Sequence, residues 1–474
     1  MNRRGTALIT AAAACLALAA GSAAAAANAA TAEASSTAQA TASSGHWTAA
    51  VPVPGLAALN VGQNAALNDI ACASGGNCAA GGTYTDKAGD SQAWIASEVG
   101  GRWHPAQEVP GTAAMNAGGN AAVNLIACLA PGRCLAVGKS TNTAHAQSAF
   151  VATEAVNGTW TLAQPIADGM NASEISCPHA GDCVLGGATA TGQAAVSTEH
   201  GTAWSAPQTL PGVAALGPHG STVTILTCSS PGNCLAGGTY VPNHPHLLVD
   251  QLVFVAPEVK GVWHRAEPVP GAARLNTGHY ADILAVSCAS AGNCSVGGYA
   301  YLSNNQGGSF VANEVRGGWD AARTIPGGTS GVTGLRCTAA ATCLAVGTAG
   351  GNGLIATEKD GTWGKNRLLP DYDYGTTLTA VSCRSAGNCL ATGNIVLPME
   401  DDYYPGNESF GIAEINGTWG PVKFLTVAGN GVTDTSVQSC DRNGDCAIGG
   451  TIQYTASGVE EAAGFSAYVA SYTP

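Results

Sequence analysis

Two short stretches carry most of the reactive chemistry of this chain: "PDYDYG" (Pro370 to Gly375) and "MEDDYYPG" (Met399 to Gly406). Only 10% of all residues are charged and 6% aromatic. Against that background, Asp371, Tyr372, Asp373, Tyr374, Glu400, Asp401, Asp402, Tyr403 and Tyr404 form an unusual concentration. Tyrosine faces stack on sugar rings and carboxylates accept bonds from sugar hydroxyls, so a saccharide is one fit. The same oxygens suit Ca²⁺, which takes roughly six to eight oxygen ligands. Two of the carboxylates can also act as acid and base in glycoside hydrolysis. The plain alternative is a solvated acidic loop. No other cofactor is expected.

A second group is built of histidines. "VPNHPHLLVD" (Val241 to Asp250) contains His244 and His246, while His219 and His279 lie in the segments that lead into the fourth and fifth repeats. Four imidazoles on one rim would suit a divalent metal, with isolated surface histidines as the alternative.

The elements that must position these loops are read from the cysteines. Apart from Cys15, all of them fall into pairs spaced C-x5-C: Cys72/Cys78, Cys128/Cys134, Cys177/Cys183, Cys228/Cys234, Cys288/Cys294, Cys337/Cys343, Cys383/Cys389 and Cys440/Cys446. An even count in a secreted chain means disulfides. Zinc would need closer spacing and histidines at fixed offsets. The pairs recur every 46 to 60 residues, so the chain is a repeat protein.

Each repeat holds four runs of strand length bounded by Gly, Asn or Pro. In the fifth they are "LAVSC" (Leu284 to Cys288), "CSVGGYA" (Cys294 to Ala300), "FVANEV" (Phe310 to Val315) and "WDAARTIPG" (Trp319 to Gly327). No segment offers a sustained helical period. Four-stranded units at this period predict an all-β, eight-bladed β-propeller occupying residues 47–474 as one domain. The tryptophan that opens the fourth strand recurs as Trp47, Trp103, Trp160, Trp204, Trp263, Trp319, Trp363 and Trp419. Trp47 precedes every cysteine pair, and the last repeat stops after its third strand, "AYVASY". The N-terminal strand is therefore expected to complete the last blade and remove its open edge.

The run "LTAVSC…CLATG…GIAEINGTW" (Leu378 to Trp419) resembles the repeats of photosystem II assembly-factor-like and Asp-box (sialidase-type) propellers, as in secreted actinobacterial proteins with cysteine-stapled repeats. "TEKDGTW" (Thr357 to Trp363) comes nearest to an Asp-box turn but is one residue short. The resemblance implies the fold. It does not carry sialidase catalysis, since no arginine triad can be placed with a Tyr/Glu pair. Propellers host many unrelated functions.

Repetition itself sorts residues. Glu98, Glu154, Glu199, Glu258, Glu314, Glu358 and Glu414 recur in the third strand, with Tyr472 in the last blade. One active site cannot use seven separated carboxylates, so these are expected to be acceptors within turns. Asn60, Asn116 and Asn276 each stand twelve residues before a cysteine, which suggests a shared rim turn. Connections from fourth to next first strand, and from second to third, share one face. The variable lengths gather there, where binding is expected. Both acidic stretches are blade 7 loops of that face and should be neighbours.

Residues 1–29 read as a secretory signal with an Ala27-Asn28-Ala29 cleavage site, and 30–46 as a flexible Ala/Ser/Thr linker. Arg3-Arg4 admits a twin-arginine signal and Cys15 a lipidated one, both with poorer matches. With 18 basic and 31 acidic residues the net charge is −13. Such a surface repels phosphate backbones, so nucleic acid is not an expected partner, and no basic patch invites a membrane after signal cleavage. The expected protein is a secreted, extracellular monomer that binds a polysaccharide or a surface protein. The alternatives are a glycan-cleaving enzyme of the blade 7 loops and a scaffold without a small ligand. Non-reducing peptide mapping should return eight links, all within repeats; one link between repeats would overturn the repeat assignment.

Overall fold

A computed structural model describes residues 46–473, apart from 156–157, 167–169, 244–249, 302–306, 327–330, 371–374, 397–406, 426–430, 441–444 and 456–461. The repeats form eight antiparallel sheets, one per blade. In blade 1 the strands are Ala65–Ser74, Asn77–Thr85, Ser91–Val99 and Arg102–Trp103, and Gln107–Glu108 pairs again with the third strand beyond a short break. Blade 8 takes its first three strands, Gly431–Cys440, Cys446–Thr455 and Ala462–Thr473, from the C-terminal end. Its outer strand comes from the other end of the chain: Trp47 lies opposite Tyr472, and Val51 opposite Val469. The expected closure is observed. The Trp47 and Tyr472 rings meet at 5.0 Å between centroids.

Local chemistry explains the turns. In blades 1 and 4 to 7 the third and fourth strands are joined by two residues that both have positive φ, as at Asp360 (49°) with Gly361 (78°) and Asn416 (49°) with Gly417 (79°). That pattern matches the right-handed strand twist, and Asn-Gly and Asp-Gly are its best formers. All eight C-x5-C pairs are disulfides with Cα atoms 3.9 to 4.1 Å apart, each closing the hairpin of the first two strands. The asparagine before the second cysteine ties this turn to the neighbouring one. Asn77 Nδ2 donates to Ser74 Oγ (3.0 Å), and its Oδ1 accepts from Gly100 N (3.3 Å). Asn233, Asn293 and Asn388 repeat both bonds.

The expected pairing is observed, and the structure adds where the sulfurs lie. The second cysteine of every pair is buried: Cys78, Cys134, Cys183, Cys234, Cys294, Cys343, Cys389 and Cys446. Cys337 and Cys383 are buried as well, whereas Cys72, Cys128, Cys177, Cys228 and Cys288 are half-buried. Cys78 belongs to the apolar cluster of Ile70 and Trp94, and Cys134 to that of Val123 and Phe150. Cys343 packs in the cluster of Val332 and Leu335, and Cys389 in that of Leu378 and Phe410. The reason is the alternation of the second strand, which turns its first side chain after the asparagine into the layer between blades. Cys78, Cys134, Cys343 and Cys389 are therefore core residues as much as staples, and they offer no surface to a ligand.

The first strand is the innermost, and ahead of its cysteine it carries a one-residue bulge in every blade. In four blades the extra residue is polar and reaches the next blade's first strand. Asn68 Nδ2 donates to Val123 O (2.8 Å), Ser173 Oγ to Val223 O (2.6 Å), Thr224 Oγ1 to Ile283 O (3.0 Å) and Thr333 Oγ1 to Leu378 O (2.6 Å). Blades pack through Val, Leu, Ile and Ala, with each fourth-strand tryptophan against the preceding blade: Trp160 joins Ala79 and Ile95, and Trp319 joins Leu235 and Val255. Four single-turn helices, Leu56–Leu59, Thr112–Met115, Val213–Leu216 and Ala272–Leu275, sit in the connections between blades. One turn is too short to register as a helical period in sequence.

Deleting residues 47–54 should expose the outer edge of blade 8. Aggregation by light scattering, or a large fall in melting temperature, is expected, and an unchanged monomer would overturn the closure scheme. Trp47→Ala alone should cost about 3 kcal/mol in denaturant unfolding.

Candidate functional site

The variable-loop face is assembled by asparagines. Asn60 follows the helix Leu56–Leu59; its Oδ1 accepts from Asn64 N (2.9 Å) and Thr85 N (3.3 Å), and its Nδ2 donates to Phe465 O of blade 8 (2.9 Å). Asn116 binds Asn120 N (2.8 Å) and Ser91 O (3.0 Å) in the same way, and Asn276 binds Gln251 O (3.1 Å). All three are buried. They are the shared rim turn, and they join each third strand to the following blade.

In blade 5 this frame presents three tyrosines. Tyr280 precedes the first strand Ala281–Ser290, while Tyr299 and Tyr301 share one side of the second, Asn293–Tyr301. Tyr280 and Tyr299 are stacked with centroids 5.9 Å apart and planes at 24°. Tyr301 meets them edge-on at 5.9 and 5.8 Å. Tyr301 is 40% exposed, as is Leu284 (38%) at the bulge beside it. Asp282 lies opposite Tyr299, and burial raises its pKa. Burial, a hydrogen bond with Tyr280 and the nearby Asp282 carboxylate together push the Tyr299 phenol up. Beneath the cluster His279 Nδ1 stands 3.1 Å from Oδ1 of the buried Asp250. Amphipathic rings beside a carboxylate make a surface suited to sugar C–H faces and hydroxyls. The sequence reading passed over these residues because it took "LNTGHYA" for its asparagine alone. The available signal was "GYAY", which places two tyrosines two apart on one strand.

The nine acidic and aromatic residues of the blade 7 loops lie outside the described residues, as do His244 and His246. The described anchors of the two blade 7 loops are neighbours: Thr376 pairs with Ile395, and Val396 with Asn407. His279 stands beside Asp250. Among the described residues no group of three or more His, Cys, Asp or Glu is placed to hold a metal ion.

Two carboxyls stand in the inner strands just after the bulge. Asp69 accepts from Ile126 N of blade 2 (2.6 Å) and Ile70 N (2.8 Å), yet burial outweighs both bonds and raises its pKa to about 7. Glu174 of blade 3 rises to about 8 through burial, with a smaller push from Asp69. On the outer strands the repeated glutamates face the fourth-strand tryptophans in register, as Glu98 does Trp103 and Glu314 does Trp319. Glu199 accepts from Cys183 N (3.3 Å), the expected role as a turn acceptor. Burial raises the pKa of all seven, that of Glu98 to about 7.

No family model matches the chain, and no curated protein matches it. Among solved structures it is similar to Sqt1 from Chaetomium thermophilum, with a TM-score of 0.50 and 13% identity over 82% of this chain and 95% of that one. It is also similar to YCF48 from Cyanidioschyzon merolae (0.42, 13%, 73% and 96%). A third is the six-bladed lectin of Aleuria aurantia (0.33, 11%, 72% and 91%). At these identities the likeness shows a β-propeller and nothing finer.

The buried carboxyls set a pH dependence. Their folded-state pKa values lie above the unfolded ones, so the stability they contribute is complete below about pH 4 and is lost as pH rises through 7 to 8. Thermal melts should therefore fall from pH 5 to pH 8.5. Asp69→Asn with Glu174→Gln should flatten that slope, and a slope of opposite sign would overturn the assignment.

Proposed function

We propose that this chain is a secreted propeller that binds a polysaccharide on its variable-loop face. The carrying observation is the half-exposed Tyr280–Tyr299–Tyr301 cluster with Asp282 beside it. Three phenol rings buried on one side and wet on the other offer stacking area at low entropic cost. The acidic, aromatic composition of the blade 7 loops, which spring from the same face, supports the same ligand class. Those loops would extend the surface through Tyr372, Tyr374, Tyr403 and Tyr404, with Asp371, Asp373, Glu400, Asp401 and Asp402 meeting hydroxyls or Ca²⁺. Export through the residue 1–29 signal agrees with the eight disulfides, which require an oxidising compartment. The repeat resemblance to photosystem II assembly-factor-like and Asp-box propellers is compatible with this reading and adds no ligand.

A glycan array should give binding that Tyr299→Ala with Tyr301→Ala reduces by about tenfold or more. Tyr403→Ala with Tyr404→Ala tests the blade 7 extension, and calcium titration tests its carboxylates. Release of reducing ends from the bound glycan would instead make it an enzyme, and an array without signal would leave a scaffold.

A further inference from the structure

The groove between blades 4 and 5 sets a buried glutamate beside an open cleft. It lies on the staple face, away from the tyrosine cluster. In two other grooves the residue before the repeated glutamate bonds the glutamate of the next blade. Ser97 Oγ accepts from Trp160 Nε1 (3.0 Å) and bonds Glu154, and Asn313 Nδ2 donates to Glu358. The equivalent Thr153, Thr198, Thr357 and Ser471 carry hydroxyls but do not bond the glutamates Glu199, Glu258, Glu414 and Glu98 that follow in the next blade. Pro257 and Ala413 carry nothing polar. Opposite Ala413 the glutamate is replaced by Tyr472, and the cleft there is only about 100 Å³. Opposite Pro257 stands Glu314, and the cleft is about 400 Å³.

Glu314 is 4% exposed. It makes no hydrogen bond or ion pair with any described residue, whereas Glu358 has Asn313 and, at 3.4 Å, Arg323. Burial alone acts on its pKa and raises it. The Oε2 atoms of Glu98, Glu154, Glu258 and Glu358 are sealed from solvent; the oxygens of Glu314 are not, and they open on the cleft. Trp319 forms a second wall, and no acceptor among the described residues reaches its indole N–H. His264, Arg265 and Glu267 stand at the mouth, with Glu258 behind. Arg265 leans away: its Cγ lies 2.6 Å from where a Cβ on Gly212 would stand.

We propose that this cleft binds a small hydroxylated amine of the amino-sugar class, with its ammonium group on Glu314 and its ring against Trp319. A buried carboxylate without a counter-charge is costly, and a ligand cation supplies what Pro257 cannot. The indole N–H asks for an acceptor, which a hydroxyl next to the amine provides. The ring's C–H face and the ammonium both favour the indole. Three glutamates against one arginine disfavour carboxylated or sulfated sugars. The volume lies in the range of ligand clefts, roughly 300–1,000 Å³. This site stands independently of the variable-loop face, so array binding there and amine binding here succeed or fail separately.

Calorimetric titration at pH 6.5 should show glucosamine trisaccharide binding about tenfold or more tightly than its N-acetylated form. Glu314→Gln should remove that preference. Pro257→Thr, which offers Glu314 a hydroxyl as Ser97 does Glu154, should weaken amine binding in a protein with an unchanged melting curve. Glu358→Gln, at a groove already satisfied, should leave it intact. Equal affinity for the two sugars, no binding to the wild type, or full binding by folded Pro257→Thr and Glu314→Gln would overturn the proposal.

Discussion

The fold depends on a carbonyl oxygen standing where a side chain would begin. A Cβ placed on Gly82 would meet Ala66 O at 2.0 Å, on Gly238 Thr222 O at 1.9 Å, and on Gly393 Thr377 O at 1.9 Å. Gly187, Gly298 and Gly347 repeat the contact at 1.9 to 2.0 Å. In each case the carbonyl lies in the first strand or directly before it, just ahead of its bulge, and the glycine in the second strand. Any larger residue would push the bulge out. In four blades the bulge in turn frees one side chain to leave its own ladder and bond the next blade's backbone. Without the glycine there is no bulge, and without the bulge the inner links between blades are lost.

That constraint explains why the rest of the blade is built so lightly. Once the inner strands are fixed to their neighbours, the outer strands need only fill a thin layer between sheets. Alanine, valine, a buried half-cystine such as Cys78 or Cys343 and a single tryptophan per blade suffice. Gly411 marks how tight that layer is, since a Cβ there would meet Trp47 at 2.4 Å. Stability is then mostly a sum over neighbouring blades, as in other repeat proteins. A ring of such pairs is weak wherever one is missing, so both ends of the chain must meet in blade 8. Each staple adds about 2 kcal/mol at most in the chain-entropy model, because its loop is short. Its larger service is to hold the turn that Asn77 and its counterparts tie to the adjacent hairpin.

Blade number, strand order, closure by Trp47 and disulfide pairing were legible because each leaves a repeated mark: C-x5-C, Gly-Gly, Trp, Asn-Gly. The burial of Cys134 and Cys389 was not, because spacing reports which sulfurs join and not which way they point. The four one-turn helices were not, because a single turn has no period. The bulges were not either, since an extra residue in a strand looks like any other until the partner strand is seen. Of the site, sequence composition drew the eye to Asp401 and Tyr403, where charge and rings crowd within a few residues. The Tyr280–Tyr299–Tyr301 cluster was harder to find because nineteen residues and a hairpin separate its first two rings. Proximity there is made by strand register, which a linear scan does not see.

Repetition is a good filter for structural roles and a poor one for functional ones. It correctly sets aside Asn60, which three connections share with Asn116 and Asn276, and the tryptophans, which every blade uses alike. Applied to the glutamates it says less, because their surroundings differ from blade to blade. Six of the eight facing positions carry a hydroxyl or amide, but only Ser97 and Asn313 bond the glutamate they face. Pro257 can offer no such bond, and Glu314 opens on a cleft. A buried carboxyl without a bonding partner requires either a compensating neighbour or a ligand. Among the described residues the neighbour is missing, and a cleft stands in its place.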